Sequence, residues 1–192
     1  MIDRILSFQS TRDVLLVAEI EDEWRDAEDN LHHAPQVAGP PGDESFLNPK
    51  YTFEQFVIGD GNRLAHAAAL AVAEMPAQAW NPLFIHGPPG LGKTHLLHAI
   101  GNYVQRYGEG LRVRYATVEA FTAEFVQAVR SRHTDAFRER FRDVDVLLLD
   151  DVQFLADKIR TKEELFHTFN ALYESGRQLV ITSDRSPVDL EA

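Results

Sequence analysis

The sequence predicts an α/β protein: a parallel sheet with helices on both faces, stacked in three layers. Three observations predict it. From Asn48 onward, short apolar runs alternate with longer amphipathic stretches, the pattern of strands joined by helical crossovers. A glycine-rich segment, Gly87-Pro88-Pro89-Gly90-Leu91-Gly92-Lys93-Thr94, sits between one such run and one such stretch. A further run, Val146-Leu147-Leu148-Leu149, is apolar throughout, as in a strand covered on both faces, and ends in Asp150-Asp151.

The elements follow in order. Residues 1–34 read as a small appendage of unknown role. Within it, Asp13 to Ala18 fits either a strand or a helical turn, and an acidic run from Glu19 to Asp29 follows, which reads as a solvated surface. Pro35, Gly39, Pro40, Pro41 and Gly42 mark residues 35–47 as a linker. The core is expected over 48–192. It opens with an alanine-rich helix at about 60–75 and a strand at 82–86. The helix at 93–107 carries Leu96, Leu97, Ile100, Tyr103, Val104 and Tyr107 at helical spacing. A strand at 112–117 leads into a helix at 118–130, which Thr117 can cap with Glu119 in its first turn. A short helix over 135–142 precedes the strand at 144–149. Thr161 opens the next helix, with Glu164 completing a capping box. The strand at 178–182 ends in Ser183-Asp184-Arg185, and it is expected between the strands at 82–86 and 144–149. Crossovers are expected to be right-handed.

The glycine-rich segment has the spacing G-x-x-x-x-G-K-T. Glycines let the chain turn tightly, so successive N–H groups face an anion, and the helix that follows adds its positive end. Gly87, Gly90, Leu91 and Gly92 would cradle phosphates. Lys93 would reach the β- and γ-phosphates, and the Thr94 hydroxyl would meet Mg²⁺. Asp150 would hold the same cation from the end of its strand, where ligands sit in parallel sheets. Asp151 would orient or polarise an attacking water. Asp184 has two readings of equal standing: a polar residue beside the γ-phosphate, or part of an Asp-Arg turn.

Composition narrows the classes. The chain has 192 residues, a net charge of −11 and no cysteine. Disulfides and thiolate chemistry are excluded, and a nucleic-acid-coating surface is disfavoured. The eight histidines form no ligand pattern. Without a signal-peptide pattern or an apolar run near the ~20 residues of a membrane span, a cytoplasmic protein is expected.

Further blocks carry a resemblance: Asn48-Pro49-Lys50-Tyr51-Thr52-Phe53, Phe56-Val57-Ile58-Gly59 with Asn62-Arg63, and Gly90 to Gly101. Asp143 to Ala156, Glu163 to Leu172 and Ser183-Asp184-Arg185 complete them. Over about 140 residues the chain resembles the AAA+ ATPase domain of the DnaA family of bacterial replication initiators. The resemblance implies a phosphate-loop nucleotide-binding core for ATP or ADP with Mg²⁺. It implies that Phe56, Val57, Ile58, Gly59 and Asn62 lie around the adenine and that His95 joins the cofactor-binding residues of the phosphate loop. Asp150 and Asp151 would be the Walker B pair and Asp184 the sensor-1 residue. Val126 and Arg160 match positions that contact single-stranded DNA, although Val126 equally suits helix packing and Arg160 a solvated loop. Origin DNA, other replication proteins and a head-to-tail homo-oligomer are the implied partners. In the family, the arginine finger, a fifth strand and the lid lie beyond sensor 1. The core is therefore expected to be incomplete at its C-terminus, hydrolysis to be very slow, and the strand at 82–86 to form a bare sheet edge. A helicase loader, a regulator of the initiator, or a non-hydrolysing binding module are alternative roles for the same core.

Overall fold

The computed structural model describes residues 16–20, 46–155 and 159–190. Among these residues, five strands form one sheet: β1 (Leu16–Glu19), β2 (Leu83–His86), β3 (Val113–Thr117), β4 (Val146–Asp150) and β5 (Gln178–Ser183). Their spatial order is β1-β2-β5-β4-β3, and every adjacent pair is parallel. The helices are α1 (Arg63–Glu74), α2 (Lys93–Tyr107), α3 (Val118–Ser131), α4 (Thr134–Arg142) and α5 (Ile159–Glu174). None is long and apolar enough to cross a membrane among the described residues.

Strand alternation sorts the core into two layers. Leu83, Ile85, Val146, Leu148 and Val180 pack with α1 and α2. Phe84, Leu147, Leu149, Leu179 and Ile181 pack on the opposite face with Phe121, Phe137, Phe141 and Phe169 of α3, α4 and α5. The three-layer α/β expectation therefore holds, and β5 lies between β2 and β4.

Two local expectations are corrected. The strand after the linker is not a bare edge: β1 covers it, with Leu16 opposite Leu83 and Glu19 opposite His86. Ala18 and Ile20 join the buried core, so part of the segment read as an appendage adds a strand to the sheet. The rest of 1–34 and most of the 35–47 linker lie outside the described residues. Thr161 and Glu164 form no capping box. Thr161 is the third residue of α5, and the buried Glu164 carboxylate accepts from Arg138 at 3.0 Å and Arg142 at 2.9 Å, tying α4 to α5. A capping motif is local, and here two arginines more than 20 residues away compete for the same carboxylate. At α3 the local reading holds: the Thr117 hydroxyl accepts from the Ala120 N–H at 3.1 Å.

Candidate functional site

The site forms where β2, β5 and β4 reach their C-terminal ends. After His86 the chain must turn sharply around the tip of β1. Gly87 has φ +153°, and a Cβ there would collide with the Ile20 carbonyl oxygen. Ile20 in turn donates its N–H to the His86 carbonyl at 2.8 Å. Gly92 caps α2 with φ +89°. A Cβ on it would come within 2.7 Å of the Phe56 ring, so the loop and that aromatic are in direct contact.

Lys93 is the first residue of α2, and its side chain is only 6% exposed. A buried ammonium must be paired. Its Nζ donates to the Gly87 carbonyl at 2.7 Å and the Pro88 carbonyl at 2.8 Å, and pairs with the Asp184 carboxylate at 2.8 Å. The structure thus brings Lys93 and Asp184 together. Asp184 therefore lies against the phosphate loop, in the bend that follows β5. Thr94 follows on the first turn of α2.

Asp150 is 2% exposed and lies on the sheet face that carries α2. Both of its oxygens are held. The Tyr115 hydroxyl donates to one at 3.1 Å, and the Thr182 hydroxyl donates to the other. Burial and the neighbouring Asp150 push the Tyr115 phenol well above its ordinary range, so it stays a protonated donor. The Thr182 oxygen also accepts the Asp151 N–H at 3.1 Å. Asp151 takes a left-handed φ of 60°, uncommon for a residue other than glycine. Burial, and then the charge of Asp150, raise its carboxyl pKa above the usual value, while a hydrogen bond from Gln153 opposes them.

On the other side of the loop, the Asn62 side chain shapes the 57–59 turn. It donates to the Val57 carbonyl at 3.0 Å and accepts from the Gly59 N–H at 2.8 Å. The Phe56 ring stacks on His66, whereas Val57 is 84% exposed and Ile58 is also exposed. His95 stacks on Tyr51 with centroids 4.8 Å apart, and its Nε2 lies 2.8 Å from the Thr52 carbonyl. His95 thereby anchors residues 51–56 to α2. Asn102 and His98 do the same. Asn102 donates to the Asn48 and Tyr51 carbonyls, both at 2.8 Å, and His98 Nδ1 accepts from the Asn48 N–H at 2.9 Å. Burial, with His95 nearby, lowers the His98 pKa to about 4, so the ring is neutral.

Val126 and Arg160 stand apart from this cluster. Both are exposed, Val126 in the middle of α3 and Arg160 in the first turn of α5. Helix α3 packs against the 152–155 turn that precedes α5. Sequence reasoning missed Tyr115, Gln153, Thr182, His98 and Asn102. Strand register, once known, points to two of them. β4 pairs Leu149 with Ile181, so one further step places Asp150 beside Thr182. Likewise Tyr115 pairs with Leu148 and lies diagonal to Asp150 on the same face.

The model of the bacterial DnaA ATPase domain matches residues 47–192. Domain III of the Thermotoga maritima replication initiation protein DnaA is 54% identical over 75% of this chain and 60% of its own, with a TM-score of 0.73. AMPPCP-bound DnaA from Aquifex aeolicus is 46% identical over 76% of this chain and 45% of its own, again with a TM-score of 0.73. A replication initiator DnaA bound to AMPPCP and single-stranded DNA is 45% identical, with the same two coverages and TM-score. The chain thus spans less than two thirds of the length of these relatives.

Proposed function

We propose, since this chain belongs to the bacterial DnaA ATPase-domain family, that it is the ATP-binding core of a switch in DNA replication initiation. One observation carries the reading: the buried Lys93 ammonium, the Asp184 carboxylate and the phosphate-loop carbonyls converge within 2.8 Å. That places a paired cation at the mouth of a glycine cradle and at the N-terminus of α2, where an anion is favoured.

Each residue then has a task. The N–H groups of Gly90, Leu91, Gly92 and Lys93 bind phosphate oxygens, and Lys93 exchanges carbonyl partners for them. Phe56, Val57, Ile58, Gly59 and Asn62 form the adenine side, which Asn62 shapes and His95 braces. Mg²⁺ fits the donor set, since the Thr94 hydroxyl and the Asp150 carboxylate are hard oxygen ligands and such a cation takes its remaining ligands from phosphates and water. When bound, it would neutralise charge on the phosphates. Tyr115 and Thr182 hold Asp150 in one orientation for it. Asp151 orients or polarises water at the γ-phosphate. The solved relative that carries single-stranded DNA supports a similar role here, with Val126 as an apolar contact and Arg160 as a phosphate contact. Head-to-tail assembly and association with other replication proteins belong to the same proposal.

A titration with fluorescent ATP and Mg²⁺ tests the core claim. Lys93→Ala should weaken binding about 100-fold, since it removes about 3 kcal/mol of charge-assisted hydrogen bonding. Equal affinity in the two proteins would mean that the loop does not bind phosphate. For DNA, Arg160→Ala should reduce the salt slope of single-strand binding by about 0.7. An unchanged slope would remove Arg160 from the interface.

A further inference from the structure

Two strand tips meet at the candidate site, and one side chain joins them. Gln153 follows β4, and its Nε2 donates to Asp151 Oδ1 at 3.1 Å. Its Oε1 accepts the Asp184 N–H, just past β5, also at 3.1 Å. The partners fix the orientation of the amide: a carboxylate only accepts and a backbone N–H only donates. Asp184 then pairs with Lys93 at 2.8 Å. Asp151, Gln153, Asp184 and Lys93 therefore form one continuous chain of contacts from β4, through β5, to the phosphate loop. A side chain serving only to satisfy a loop needs one such partner. Gln153 uses both ends of its amide on two of the site's three aspartates, Asp151 and Asp184.

We propose that Gln153 is a positioning residue that sets the Asp184 carboxylate against Lys93 and so lets the site distinguish a triphosphate from a diphosphate. This rests on the phosphate-site reading above. Gln153 has no direct part in gripping the β-phosphate or the base, which fall to the loop and to residues 56–62. Its loss therefore acts where a γ-phosphate would meet Lys93 and Asp184, and leaves the rest of the site intact.

The test compares ATP and ADP affinities, each with Mg²⁺, by displacement of a fluorescent nucleotide from the full chain. Four proteins are needed: wild type, Gln153→Met, Gln153→Glu and Lys93→Ala. Methionine keeps the length and volume of the side chain and deletes both hydrogen bonds. Glutamate keeps the acceptor for Asp184 but sets a second carboxylate against Asp151. The expected result is a fall of about tenfold in the ATP-over-ADP preference of Gln153→Met. Its ADP affinity should stay within twofold of wild type, which also shows that the variant is folded. Gln153→Glu should lose at least as much preference. A preference unchanged in both Gln153 variants overturns the proposal, and so does an equal loss of ATP and ADP affinity, which would mark a merely structural role. Wild-type affinity no better than that of Lys93→Ala is a different failure. It removes the phosphate site itself, and this inference with it.

Discussion

The phosphate loop is shaped by its own backbone and by one lysine of the same segment, whereas the rim across from it, at the tips of β4 and β5, is tied together by side chains on or just past three strands. In the loop, three glycines adopt left-handed or otherwise restricted backbone, and Lys93 is tied to two carbonyls of its own segment. On the rim, Asp150 is held by Tyr115 and Thr182, and Asp151 by Thr182 and Gln153, from as far as 35 residues away. The two regions face each other and meet in the Lys93–Asp184 ion pair and in the Gly87 N–H, which donates to the Ser183 carbonyl. The loop should thus be sensitive to backbone and steric change, and the rim to the loss of single polar atoms.

The largest effect is expected in the loop. Gly92→Val adds a β-branched side chain at φ +89°, against a Phe56 ring wedged between His66 and His95. Left-handed backbone costs about 1–2 kcal/mol, and overpacking about 1–3 more. Chemical denaturation should show a loss of about 2–5 kcal/mol, with nucleotide binding abolished. A variant with wild-type stability would show that the loop is more plastic than its geometry.

Next comes the segment that braces the loop. His98 is neutral in the fold, with its pKa lowered to about 4 by burial, and accepts the Asn48 N–H. Its unfolded value is near 6.5. Between the two values the unfolded chain binds the extra proton, so stability rises with pH across that window. The contribution is complete above pH 6.5 and is lost as pH falls toward 4, amounting to about 3 kcal/mol at ~1.4 kcal/mol per unit. Urea unfolding at a series of pH values should show this slope in wild type and a shallower one in His98→Gln. Parallel slopes would assign the acid sensitivity elsewhere.

On the rim, Thr182→Val keeps the shape and removes one hydroxyl. That hydroxyl serves both Asp150 and the Asp151 N–H, so one buried and one part-buried group lose a partner. The expected cost is about 1–3 kcal/mol, or a melting temperature lower by roughly 2–10 °C for a chain of this size. A neutral outcome would mean that the rim does not depend on side chains, and the contrast with the loop would dissolve.

The same contrast explains what could be read from sequence. The loop is contiguous, so its glycines, Lys93 and Thr94 declare themselves by spacing, as does Thr117 by standing one residue before a helix. Asp150 and Asp151 were legible because an apolar run points at them. Their partners were not, since Tyr115, Thr182 and Gln153 look ordinary until strand order and register are known. Glu164 misled for a related reason: it has capping-box spacing, but Arg138 and Arg142 reach it only after α4 packs on α5. β1 stayed ambiguous because four residues carry too little period to separate strand from helical turn. Only Gly87 hinted that another segment passes close by, and its motif role already accounted for a glycine there.

The smallest effect separates the two aspartates of the rim. Burial and Asp150 raise the Asp151 pKa in the fold above its unfolded value. A raised carboxyl pKa means that the folded chain holds the proton over a window just above pH 3.8, where the unfolded chain releases it. Stability attributable to this group therefore falls as pH rises through that window, and stays lower above it. Asp151→Asn removes the charge, keeps an oxygen to accept from Gln153, and places at φ 60° a residue that tolerates left-handed backbone. The variant should be more stable than wild type at pH 7, and its advantage should shrink on acidification as wild type becomes protonated. Urea midpoints for the two proteins at pH 7 and near pH 4 measure the difference. A stabilised Asp151→Asn that still binds ATP would show a carboxylate kept at a cost to the fold, as a residue that handles water at the γ-phosphate would be. A destabilised variant would make Asp151 a structural partner of Thr182 and Gln153, and the rim would then be built like the rest of the core.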